Sequence, residues 1–133
     1  MTRSPAASPV SPAVMTLLRV LAVLAALMIV LQGVSAGEIL SRSATAVALH
    51  SAGAIVVHVL TGLTAIVAFL VARSARGPWW PPIVAAVVFA VSFVQAALGS
   101  GGVMAVHVPL AMVLLVGSVA VLGWSLATGR ARA

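Results

Sequence analysis

Four apolar stretches, at about 14–36, 46–72, 80–98 and 103–127, take up most of this 133-residue chain. Each is long enough to cross a bilayer as a helix, which needs about 20 mostly apolar residues. In lipid every backbone N–H and C=O must be bonded within its own segment, so each stretch is confined to a helix. Sixty-three per cent of the residues are hydrophobic and only 6% charged, with a mean hydropathy of +1.28. A soluble domain of this length has too little interior to hide that much apolar surface. The expected fold is all-α and integral to a membrane: a four-transmembrane-helix bundle over 14–128, with a Ser/Pro-rich, disordered cytoplasmic tail at 1–13 and a short cytoplasmic tail at 129–133.

The charges set the orientation. There are seven basic residues, all arginine, against one acid, Glu38. Arg3, Arg19, Arg73, Arg76, Arg130 and Arg132 fall on one side of the four spans and Arg42 alone on the other. Positive charge stays on the cytoplasmic side, so both termini are expected inside, in a prokaryotic cytoplasmic membrane. Arg19, inside the first span, is expected to snorkel to the inner headgroups. Trp79-Trp80 before Pro81-Pro82 reads as an interfacial anchor, with Trp124 at the same face. The arginines form no stripe with interleaved aromatics, so nucleic acid is not an expected partner. With no cysteine, disulfides, thiolate metal sites and thioether-linked cofactors are excluded. Arg19, the run 20–31 and Val34-Ser35-Ala36 also follow the order of a secretory signal. The long apolar stretch, and the need for span one to complete the repeat, favour a retained span.

That repeat is the second constraint. Gln32, Gly33 and Gly37 lead into Ala48-Leu49-His50-Ser51-Ala52; Gln95, Gly99, Gly101 and Gly102 lead into Ala105-Val106-His107-Val108-Pro109. Each hairpin carries a glutamine near the end of one span and a histidine near the start of the next. The two histidines lie at matching depths, roughly 7 Å inside the outer ends of spans two and four. If those spans face each other diagonally, the imidazoles can ligate one metal from opposite sides, as bundles hold heme. The expected ligands are His50 and His107, with Gln32 and Gln95 bonding to a neighbouring helix, an imidazole or a cofactor edge. Arg42 is a partner for a propionate. Gly33, Gly37, Ala52, Gly53 and Gly102 could make room for a macrocycle, or simply let helices pack closely. Met104 is an alternative soft ligand. Glu38 could orient a histidine, pair with Arg42 or be solvated. His58, about 12 Å deeper than His50, falls near mid-bilayer. It is read first as a neutral hydrogen-bonding group toward Thr61, Thr64 or Gln95, with a second ligand position and a quinone or proton contact as alternatives.

Phe93-Val94-Gln95-Ala96-Ala97-Leu98-Gly99 followed by 103–112, Val-Met-Ala-Val-His-Val-Pro-Leu-Ala-Met, resembles a hairpin of the heme A synthase family; Leu31-Gln32-Gly33 and the His50 region resemble its companion. That family has eight spans in two four-helix halves, each with a heme-ligating histidine pair. The resemblance implies that this chain is one such half, with His50 and His107 in the ligand positions. It also resembles small four-span membrane proteins of unknown function with the same two histidines. The chain departs from the family at Val47, where a glutamate usually precedes the first histidine, and in lacking the outer cysteine pair. A lone half offers one heme site, whereas oxidising one heme with another takes two, so heme A synthase activity is not expected of a monomer. A homodimer or larger membrane complex is compatible with the sequence.

The expected function is therefore bis-histidine binding of a b-type heme, for electron transfer or heme handling. The alternative is a cofactor-free membrane subunit or assembly factor whose histidines make structural hydrogen bonds. A small multidrug-type transporter is a weaker reading, since Glu38 lies at the edge of span one rather than within it.

Overall fold

A computed structural model of the chain describes residues 10–130. It contains four helices: α1 (Pro12–Leu40), α2 (Ala46–Ala75), α3 (Trp80–Ser100) and α4 (Met104–Arg130). The expected tails fall largely outside the described residues, although Pro12 and Ala13 form the start of α1 and Gly129 and Arg130 the end of α4. All four helices are long and apolar enough to cross a membrane.

The helix ends follow local chemistry rather than the limits of the apolar runs. Pro12 opens α1, and Pro81 and Pro82 lie in the first turn of α3, where a missing N–H leaves no intrahelical bond unmade. At its other end α1 continues through Glu38 to Leu40. The chain then turns with Ser41 N–H on Gly37 O and Ser43 N–H on Glu38 O. α2 closes at Arg76, in the left-handed region at φ 47°, with Gly77 N–H donating to Ala72 O. The α3–α4 turn is shorter: Gly101 N–H bonds Ala97 O, Val103 N–H bonds Leu98 O, and Gly102 takes φ +73°.

Short connections make successive helices antiparallel neighbours. α1 packs on α2, α2 on α3, α3 on α4, and α4 returns to α1. This closes a ring in which α2 and α4 run parallel across one diagonal. Met15, Leu18, Leu21, Val67, Ala68, Val71, Ala85 and Val121 form one core cluster. Ile29, Val57, Val88 and Leu114 form another. Small residues allow the close approach. Ala22, Ala25, Thr61, Thr64, Ala85 and Ser118 border a central cavity of about 10 Å³, room for roughly one water. The buried hydroxyls bond to their own helices, Thr61 Oγ1 to Val57 O at 2.7 Å and Ser118 Oγ to Leu114 O at 2.9 Å.

The outside of the bundle is as apolar as the inside. Leu17, Leu31, Ile55, Val59, Val113 and Val116 all face outward. A helix apolar on every side belongs in a large core or a bilayer, and a four-helix bundle has no large core. Trp80 and Trp124 meet edge to face at 6.3 Å, at one end of the bundle. Arg19, expected at the inner headgroups, also has a partner within the bundle. Its guanidinium Nε and Nη2 both donate to Ser125 O, at 3.1 and 3.0 Å. It ties α1 to α4.

Candidate functional site

His50 is the fifth residue of α2 and His107 the fourth of α4. Both helices start at the same end of the bundle, so the diagonal brings the two imidazoles together with ring centroids 6.3 Å apart and planes tilted by 55°. Both side chains are partly buried.

Each imidazole is held from behind by the helix that precedes its own. His107 Nδ1 lies 2.9 Å from the backbone oxygen of Gln95. A carbonyl only accepts, so Nδ1 carries the proton and Nε2 of the neutral ring keeps its lone pair. His50 Nδ1 lies 2.9 Å from Ser35 Oγ. The single hydroxyl proton of Ser35 has two acceptors, Gln32 O at 3.0 Å and Gln32 Oε1 at 3.3 Å. With that proton on either glutamine oxygen, Ser35 accepts from His50 Nδ1 and Nε2 is again the bare nitrogen. In the first hairpin a serine hydroxyl stands between the histidine and the glutamine carbonyl; in the second the bond is direct. Among the described residues neither Nε2 makes a hydrogen bond.

The glutamines repeat a second contact. Gln32 Nε2 donates to His50 O at 2.9 Å and Gln95 Nε2 to His107 O at 2.8 Å. Each amide thus clamps the histidine-bearing turn to the neighbouring helix. Gln95 Oε1 is buried and has no hydrogen-bond partner. Two glycines permit these approaches. A Cβ on Gly99 would lie 2.8 Å from Cε1 and 3.0 Å from Nδ1 of His107. One on Gly53 would lie 2.7 Å from Gln32 Oε1. The other small residues considered from sequence do not crowd the pair. A Cβ on Gly33, Gly37 or Gly102 would meet open space, and Ala52 is exposed.

Arg42 sits in the α1–α2 turn at φ 63°, exposed, and its side chain makes no hydrogen bond among the described residues. Glu38 is exposed on the last turns of α1 and forms no ion pair among the described residues. Met104 is 46% exposed at the start of α4. The His58 imidazole bonds neither Thr61, Thr64 nor Gln95, although Thr61 Oγ1 reaches the His58 backbone oxygen at 3.2 Å. Its Nδ1 is 2.7 Å from Ser92 Oγ, and its ring stacks on Phe93. The two threonines cannot serve it because their hydroxyls turn back to Val57 and Leu60 carbonyls. Ser35, Ser92 and Gly99 are the positions that sequence reasoning did not single out as anchors. The one available signal was that Ser35 and Gly99 each lie about a turn beyond a glutamine.

The donor set limits what the pair can hold. Among the described residues no three His, Asp or Glu side chains cluster. Two imidazoles fall short of the three or four protein ligands a zinc site uses. They suffice for an ion that brings an equatorial ligand set with it, as heme iron does. The centroid spacing is of the size that two imidazoles on one ion would require. A nitrogen–metal distance of about 2 Å on each side, plus roughly 1 Å from nitrogen to ring centre, puts opposed centroids about 6 Å apart.

No family model matches the chain, and comparison with curated proteins and with solved structures finds no match. The likeness to half of a heme A synthase accordingly rests on its motifs.

Proposed function

We propose that this is an integral membrane protein, with both termini on the cytoplasmic side of a prokaryotic cytoplasmic membrane, that binds one b-type heme between His50 and His107. The supporting observation is the arrangement of the two rings: Nδ1 of each hydrogen-bonded to the preceding helix, Nε2 of each without a hydrogen-bond partner among the described residues, and centroids 6.3 Å apart. Ligating histidines characteristically donate the other ring N–H to a backbone carbonyl or similar acceptor, which fixes the tautomer and raises ligand basicity. Gln32 and Gln95 hold the two turns in place, and Arg42 is the cation available at that end for a propionate. Held by both imidazoles, a heme would supply one-electron transfer and would leave no position open for oxygen chemistry. The role is thus electron transfer or heme handling, and no catalytic residue is assigned.

The test is a reduced-minus-oxidised absorbance spectrum of the full chain, purified in detergent after expression with ample heme, beside His50→Ala and His107→Ala. One heme per chain, with Soret and α bands diminished in both variants, is the expected result. A heme-free protein that stays folded, or bands indifferent to both substitutions, overturns the proposal and leaves the histidines as helix-pairing groups in a structural or assembly subunit.

A further inference from the structure

His58 takes no part in the pair, yet it is built with the same care. It is the thirteenth residue of α2, about 18 Å along the helix from its start. That is near the middle of a bilayer if the helix spans one. Ser92 Oγ, on α3, lies 2.6 Å from Phe89 O and 2.7 Å from His58 Nδ1; with its one proton on the carbonyl, it accepts from Nδ1. Nε2 is left with its lone pair and, among the described residues, no partner. The ring lies parallel to Phe93, 4.1 Å between centroids and 9° between planes. Phe89 meets Phe93 edge-on at 5.1 Å. Gly62 lets α2 close on this group, since a Cβ there would lie 3.0 Å from the Phe89 ring. Phe93 is 49% exposed and His58 partly so. The arrangement is an oriented acceptor beside an aromatic plate, open to the outside of the bundle.

We propose that His58 and Phe93 form a second site that binds the hydroxyl of a lipid-soluble aromatic alcohol, of the hydroquinone class. The proposal rests on the membrane placement and not on heme. Acyl chains carry no hydrogen-bond donor, and a bare acceptor in hydrocarbon is costly. The occupant must therefore dissolve in the bilayer core and bring a donor to Nε2. A flat ring bonded to Nε2 can lie against the part of Phe93 that His58 leaves exposed, and an alkyl or isoprenoid tail keeps the molecule at this depth. Only binding is proposed.

The chain has three histidines, so ¹⁵N-histidine labelling reports three imidazoles in one spectrum. The full chain in detergent micelles is titrated with decyl-hydroquinone under reducing conditions, and with its dimethyl ether, which has the same ring and tail but no donor. His58→Gln assigns the resonance. The expected result is a saturable shift of His58 Nε2 with the hydroquinone alone. Phe93→Leu, which leaves the Ser92 bond intact, should weaken binding about two- to tenfold. No saturable shift, or an equal one with the ether, overturns the proposal. Heme content of the same samples is read separately by absorbance, so failure here and failure of the heme reading are told apart.

Discussion

At position 99 a single methyl group separates two outcomes that helix propensity and packing predict with opposite signs. Replacing a mid-helix glycine by alanine favours a helix by about 1 kcal/mol, and that is the expected gain in thermal stability for Gly33→Ala, whose Cβ meets nothing. At Gly99 the same change forces the His107 ring away from its bond to Gln95 O. Gly99→Ala should therefore lower heme affinity at least tenfold in a hemin titration, while Gly33→Ala leaves it unchanged. Arg42 offers a second contrast. A non-glycine residue in the left-handed region is strained by roughly 1 kcal/mol, so Arg42→Gly should raise the melting temperature of the heme-free protein. If the guanidinium meets a propionate, the same variant loses heme affinity; unchanged affinity would remove Arg42 from the site. The paired glutamines and histidines were legible as residues because duplication marks them. Ser35 and Ser92 were not, since a serine in an apolar span reads equally as a packing residue. Only the helix phase between neighbours decides which imidazole it meets.

Among the elements, α1 and α4 are joined by more than apolar contact. If Arg19 only snorkelled, Arg19→Leu would be close to neutral for stability. With its guanidinium bonded to Ser125 O, the variant should lose about 1.5–3 kcal/mol, the scale of a hydrogen bond to a charged group. Thermal unfolding in detergent measures it. Leu18, fully buried in the core cluster beneath that contact, should cost about 2–5 kcal/mol as Leu18→Ala. Hydropathy located all four helices because nothing but a helix suits so long an apolar run. It placed their ends less well. α1 continues through Gly37 and Glu38, whose polarity ends the apolar run without ending the helix; the helix stops where the backbone turns onto Gly37 and Glu38 carbonyls.

For the whole molecule, the ring order of the helices turns two histidines distant in sequence into a neighbouring pair. Sequence could state that diagonal only as a condition, because it depends on which helix α4 returns to. The arginine distribution gives the complementary expectation in the membrane. Reporter domains fused after residue 133 or into 73–78 should report the cytoplasm, and one in 41–45 the opposite side; the reverse pattern would contradict the assigned orientation. The central claim is that His50 and His107 are opposing ligands of one iron, and the spin state of the ferric, heme-loaded protein tests it most directly. Electron paramagnetic resonance should show a low-spin signal in the unaltered chain, converting to high-spin in His50→Ala and in His107→Ala as one axial nitrogen is lost. A high-spin signal in the unaltered chain, or a low-spin signal that survives both substitutions, would contradict it.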